Sequence, residues 1–269
     1  MKTVIINSAL DPAGSNIHDR LVEEFGYKEI ADQYDGLTAY GEGEALLVTS
    51  KKEILFVEDL DDYFPDCRYV FISKHWAESG IPSLTAHFAG NFGKNEFGGN
   101  PGEIARFSPS MLKRYFSSLN LLRDEIPQTY SLTLEATHHG PTSLKAPVLF
   151  VELGSGPEQW KDPNAARWVC EALVNSLQAR NDLGKCALAF GGVHYSQKFN
   201  KFVLESGFKL GPIVPKYALE FLDKGLMEQL TQKGDQRITH AVLDMKGLGS
   251  HKEKVVKLVS EFELETIRV

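Results

Sequence analysis

The stretch Pro147-Val148-Leu149-Phe150-Val151-Glu152-Leu153 decides the fold. It is nearly continuously apolar, so it reads as a strand buried on both faces, the pattern of a sheet covered by helices. Downstream, Asp162 or Pro163 opens a helical pattern that puts Ala165, Trp168, Val169, Ala172, Leu173 and Leu177 on one face. Residues 185–190 then form another buried strand. Strand, helix and strand in that order are the unit of a parallel sheet.

The same alternation extends in both directions. Residues 3–7 read as a first strand, and Ser15 as the N-cap of a helix over 16–25, with Ile17, Leu21 and Phe25 at a spacing of four. Residues 45–49 and 54–57 are strand-like, and Lys51-Lys52 between them suggests a hairpin. Residues 69–73, 83–87 and 132–136 add strands. The glycine- and proline-rich residues 94–102 form a loop leading into an amphipathic helix over 109–125. Beyond residue 195 the spacing predicts short helices around 216–223 and 226–231, a strand at 240–243, a lysine-rich helix over 250–262 and a last strand at 264–269. The expected architecture is α/β: a mixed, largely parallel sheet flanked by helices. Residues 1–199 form the catalytic core and residues 200–269 an extra C-terminal α/β subdomain.

Composition narrows the function. The chain has 269 residues and a formal charge of -7, which excludes a broadly basic protein that coats nucleic acid but leaves room for a local basic face. Cys67, Cys170 and Cys186 are far apart and form no CxxC pair, so neither a disulfide framework nor a cysteine zinc knuckle is expected. Free thiols suit the cytoplasm. The N-terminal apolar run is too short for a signal peptide, and no 18 apolar residues run together, so no membrane association is expected. A monomer is the default expectation.

The chemistry gathers on histidines. His75, His87, the pair His138-His139 and His194 each follow a predicted strand. Ligands of open α/β sheets bind outside the carboxyl ends of strands, so these segments are expected to share a cleft. One histidine at a strand end is usually structural; four such segments argue for a polar site. Imidazole is both a metal ligand and a base near neutral pH. With no cysteine nearby, the pattern suggests a His/carboxylate metal site, Glu135 and Glu78 being the nearest carboxylates. Adjacent His138 and His139 can serve one ion only if the chain turns there, and Gly140-Pro141 makes a turn plausible. His18, His240 and His251 have no such context and are expected at the surface. No P-loop, Rossmann fingerprint or GxSxG elbow is present.

The motifs Glu135-Ala136-Thr137-His138-His139-Gly140-Pro141-Thr142, Gly192-Val193-His194-Tyr195 with Lys198-Phe199, and Ser73-Lys74-His75 with Leu84-Thr85-Ala86-His87 and Gly90-Asn91 resemble the D-aminoacyl-tRNA deacylase of the archaeal and plant type. The resemblance runs from the first strand to about Phe199. It implies a fold similar to phosphorylase and peptidyl-tRNA hydrolase, with a C-terminal α/β addition. It also implies zinc dependence and hydrolysis of the ester between a D-amino acid and the tRNA 3′ end.

On that basis water attacks the ester carbonyl with metal assistance. His75, His138, His194 and Glu135 are the expected catalytic groups and metal ligands. His87, Gly90, Asn91, His139, Thr142, Tyr195 and Lys198 are the expected substrate-binding residues. Backbone N–H groups at Gly90 to Gly93, or at Gly191-Gly192, are candidates to hold the oxyanion. Lys94, Lys113, Arg114, Lys198, Lys201, Lys252, Lys254 and Lys257 are candidate phosphate contacts. Two other classes share these residues: a metallo-amidohydrolase or peptidase with a small substrate, and a non-catalytic tRNA binder.

Overall fold

The computed structural model describes residues 2–95, 97–179 and 184–269. The first part contains β1 (Thr3–Ser8), α1 (Pro12–Glu24), β2 (Lys28–Tyr34), β3 (Leu37–Glu42), β4 (Ala45–Ser50), α2 (Leu60–Tyr63), β5 (Arg68–Lys74), β6 (Ser83–His87), α3 (Pro109–Leu121), β7 (Ser131–Leu134) and β8 (Val148–Gly154). It continues with α4 (Pro157–Trp160), α5 (Pro163–Gln178), β9 (Cys186–Phe190), α6 (Gln197–Glu205), β10 (Lys209–Val214), α7 (Lys224–Gln232), β11 (Ile238–Leu243), α8 (Lys252–Glu261) and β12 (Glu265–Arg268).

Among the described residues the strands make two sheets, ordered β2-β3-β4-β1-β5-β8-β6-β7 and β10-β9-β11-β12. β4, β1, β5 and β8 are parallel, while β6 runs against β8 and pairs in parallel with β7. The second sheet is parallel throughout. The expected α/β class forms, with a mixed, largely parallel sheet flanked by helices, and a second, parallel sheet stands beside it. The passage between the sheets falls between β8 and β9.

Alternation along β8 explains its apolar run. Leu149, Val151 and Leu153 face one core, with Ile17, Leu21, Tyr115, Leu119, Val169 and Leu173 from α1, α3 and α5. Val148 and Phe150 face another, with Val4, Ile6, Tyr69 and Phe71. Each such side chain contributes about 1.5–3 kcal/mol on full burial. The first core also holds Leu188, Leu210 and Val242, so the second sheet shares it.

Several local readings change. Helix α1 begins at Pro12 because Asp11, not Ser15, caps it: Asp11 Oδ1 accepts from the N–H groups of Ala13 and Gly14 at 3.0 and 2.8 Å. Residues 54–56 form a short 3-10 turn, and the hairpin is instead β2–β3, turned by Asp35-Gly36 with positive φ of 56° and 71°. Strand β10 and helix α6 were not anticipated. His240 is buried, not at the surface: its ring packs against Phe208 and meets Glu265 at 3.1 Å.

Candidate active centre

The site is built on one face of the first sheet. The β5–β8 and β6–β8 registers put Ser73 and Thr85 opposite Glu152, and His87 opposite Phe150. Facing partners project to the same side, so Ser73, Glu152 and His87 share the face of Phe150. Because β6 and β7 run against β5 and β8, the histidines meet over this face rather than along one row of strand ends. The His87 ring stacks on Phe150 at 5.1 Å and 7°.

Neighbouring loops supply the rest. The N–H of His75 donates to Leu153 O at 2.9 Å, and Trp160 Nε1 donates to His75 O at 2.8 Å. A Cβ on Gly154 would come within 2.7 Å of His75 Cβ, so glycine is needed where β8 passes behind the histidine. Beyond β7, Glu135 N donates to Ala86 O at 3.0 Å and Ala136 N to His194 O at 2.8 Å. Thr137 N donates to Ile213 O at 3.0 Å, which stitches this segment to β10 and sets the site at the seam of the two sheets.

Two arrays result. In the first, His75 Nδ1 lies 3.2 Å from Glu135 Oε1 and 3.4 Å from Glu152 Oε2, and Ser73 Oγ donates to Glu152 Oε1 at 2.7 Å. His75 Nε2 meets the Tyr195 hydroxyl at 3.1 Å. Burial works against a charged His75, but the flanking carboxylates outweigh it and push the imidazole up to about 10. Burial raises the Glu135 carboxyl, but His194 and His75 hold it well below the usual range. Glu152 is likewise lowered against burial by His75 and His87.

In the second array three imidazoles converge. Nδ1 of His87, His138 and His139 lies 3.1, 2.8 and 2.7 Å from the backbone carbonyls of Phe88, Ala136 and Gly140. Where Nδ1 carries the proton and donates it, Nε2 keeps its lone pair. His139 has φ 47°, a left-handed turn that brings adjacent His138 and His139 together with ring centroids 4.4 Å apart. Burial, with the charge of His87, lowers His138 well below its ordinary value and His139 to about 4, so both stay neutral; His87 is itself raised against burial by Glu152, and an ion on these three imidazoles would take the place of the His87 proton. His194 Nε2 meets Glu135 Oε2 at 2.9 Å.

A metal ion fits this donor set. One ligating atom from each of His87, His138 and His139 lies within 4.8 Å of the others, and the same holds for Glu135, His138 and His194, and for His75, Glu135 and Glu152. Buried His87 Nε2 makes no hydrogen bond and lies 3.7 Å from Glu152 Oε1, an unpartnered imidazole nitrogen of the kind an ion would engage.

The structure thus brings together His75, His87, Glu135, His138, His139, His194 and Tyr195, but puts His75 in a different donor group from His138 and His194. Glu78 is exposed, and Glu152 takes its place; a lone carboxylate within an otherwise apolar strand was the signal. Other candidates are engaged elsewhere. Asn91 Nδ2 donates to Gly98 O at 2.9 Å and Asn100 O at 3.2 Å. Thr142 Oγ1 donates to Glu103 at 2.8 Å and accepts from Asn100 N at 2.8 Å. The N–H groups of Gly90, Asn91 and Gly191 donate to His139 O, Glu103 O and Val214 O, which removes them from the oxyanion role. Lys198 is paired with Asp244 at 2.7 Å. Lys113 donates to Val203 O and Ser206 O, and Lys254 to Leu219 O and Glu220 O.

Fold and site together define an α/β protein with a buried imidazole–carboxylate centre suited to a metal ion. The sequence profile of D-aminoacyl-tRNA deacylase matches residues 65–267, and the chain belongs to that family. The D-aminoacyl-tRNA deacylase of Pyrococcus furiosus is 32% identical over 98% of this chain and 99% of its own length. That of Cenarchaeum symbiosum is 33% identical over 96% of each chain. A crystal structure described as a conserved protein of unknown function superposes with a TM-score of 0.91 at 28% identity, covering 99% of this chain and 95% of that one.

Proposed function

We propose that the protein hydrolyses the ester joining a D-amino acid to the 3′ end of tRNA, with zinc assisting the attack of water. Family membership supports the reaction, and the observation that carries the metal-assisted form is the convergence of three imidazoles beside Glu135. Of the four ligands expected from sequence, we retain His138. The geometry favours His87 and His139 as its companions, because their Nδ1 atoms face backbone carbonyls. Three histidines plus an open position are a known catalytic zinc set. When bound, the ion supplies a Lewis acid that polarises the ester carbonyl and eases deprotonation of water.

The remaining residues handle position and protons. His138 and His194, with side chains 31% and 28% exposed, are the imidazoles a substrate can reach. His75 and Glu152 are buried and act by holding Glu135. The Glu135–His194 pair receives the proton of the attacking water and returns it to the leaving ribose oxygen. The D configuration of the substrate and a cytoplasmic place of action are part of the same proposal, as is a monomeric working form.

His138→Ala tests it. The expected result is loss of deacylation by about 100-fold or more, with the thermal unfolding transition retained. Undiminished turnover by this variant would overturn the role of His138.

A further inference from the structure

The proposed mechanism leaves one gap. The water proton must reach His194, yet both ring nitrogens of His194 have partners: Nε2 meets Glu135 Oε2 at 2.9 Å, and Nδ1 meets the Tyr217 hydroxyl at 2.9 Å. An ionised carboxylate only accepts hydrogen bonds. Nε2 therefore carries the proton in the neutral ring, Nδ1 keeps the lone pair, and Tyr217 donates to it. Glu135, His194 and Tyr217 thus make a carboxylate–imidazole–hydroxyl chain, with the order of partners found in serine hydrolases.

Tyr217 stands at the outer end of that chain. It is 56% exposed, whereas Glu135 is 2% exposed. Its ring lies nearly parallel to that of His194, at 14° and 6.4 Å. It sits on a short turn, Lys216–Ala218, after β10. That turn is fixed by Lys216 N donating to Gly192 O at 3.0 Å, just ahead of His194. The second sheet thereby delivers a hydroxyl to a site built largely on the first.

We propose that Tyr217 is a catalytic residue that relays the proton of the attacking water to His194. As the water oxygen bonds to the ester carbon, the carbonyl π pair moves onto the carbonyl oxygen, the water proton passes to Tyr217 Oη and the tyrosine proton to His194 Nδ1. When that pair re-forms the carbonyl and the ester C–O bond breaks toward the ribose oxygen, the same path returns a proton to that oxygen, so neither tyrosine nor histidine is consumed. Partial desolvation of the hydroxyl where it meets His194, together with the charge of Glu135, pushes Tyr217 up to about 12, which keeps it protonated and unsuited to act as a nucleophile. Relay rather than covalent catalysis is the role its chemistry allows.

This inference rests on the deacylase reading, and one substitution separates the two. Tyr217→Phe keeps the ring and removes only the hydroxyl of an exposed side chain. The expected result on D-aminoacyl-tRNA is a fall in kcat of about 100-fold with KM within about twofold. In 15N-histidine-labelled protein, His194 Nδ1 should give the signature of an unprotonated nitrogen that accepts a hydrogen bond in the parent chain, and should move to that of a bare lone pair in Tyr217→Phe. An unchanged kcat, or unchanged His194 nitrogen shifts, overturns the relay. A parent chain that does not deacylate D-aminoacyl-tRNA overturns the function instead, while the nitrogen shifts still report whether Tyr217 holds His194.

Discussion

Glu135 links the two arrays. Its Oε2 meets His194 at 2.9 Å and its Oε1 lies 3.2 Å from His75. His75 in turn is held between Glu135 and Glu152, a buried cation between two buried anions. Such an arrangement is stable only while every charge keeps its partner. Glu152→Gln preserves volume and removes one anion. Glu135 should then lose its fixed position, and kcat should fall by about 10–100-fold, the range for groups that orient a catalytic or ligating residue. Steady-state kinetics with KM near the parent value, and a lowered melting temperature, are the expected readings. Full activity in Glu152→Gln would show that His75 needs only Glu135.

At the scale of elements, the loop between β6 and α3 is held to the β7–β8 connection and to α7 by Glu103, which bonds Asn100, Thr142 and Lys233 at 2.8, 2.8 and 3.2 Å. Burial raises this carboxyl, but the hydrogen bonds from Asn100 and Thr142 and the ammonium of Lys233 hold it below its ordinary value. A depressed carboxyl contributes stability above its unfolded value and loses it as pH falls through its folded value. Urea midpoints of the parent should therefore drop faster than those of Glu103→Gln as pH is lowered from about 5 to 3. Parallel curves would remove Glu103 from the acid response. Elements of this kind were unevenly legible in the sequence. β8 and α5 were plain because burial on both faces and a helical stripe leave strong periodic signals. β2, β3, β10 and the Tyr217 turn were not. Much of β2 is exposed, β10 carries a glycine and a proline, and Tyr217 gains meaning only through a strand pairing distant in sequence. The histidines were legible as a group. How they divide into donor sets was not, because it depends on the antiparallel step at β6 and on the left-handed turn at His139.

At the scale of the molecule, the first sheet supplies His75, His87 and Glu152, the segment after β7 supplies Glu135, His138 and His139, and the second sheet supplies His194 and Tyr217. The shared apolar core fixes the sheets against each other, so the seam is a rigid place to hold a multi-residue centre. Among the described residues no helix is long and apolar enough to cross a membrane. A charge of -7 leaves tRNA binding to local cations, several of which already serve as internal ties. If this seam houses a metal-assisted deacylase selective for the D configuration, the decisive measurement is the initial rate of hydrolysis of one tRNA charged with the D and with the L form of the same amino acid, with chelator, without it, and after zinc is restored. The expected result is rapid release of the D-amino acid, a spared L-aminoacyl-tRNA, loss of activity on chelation and recovery with zinc. Equal rates for the two forms, or full activity in the chelated protein, would rule out a metal-assisted, chirally selective centre.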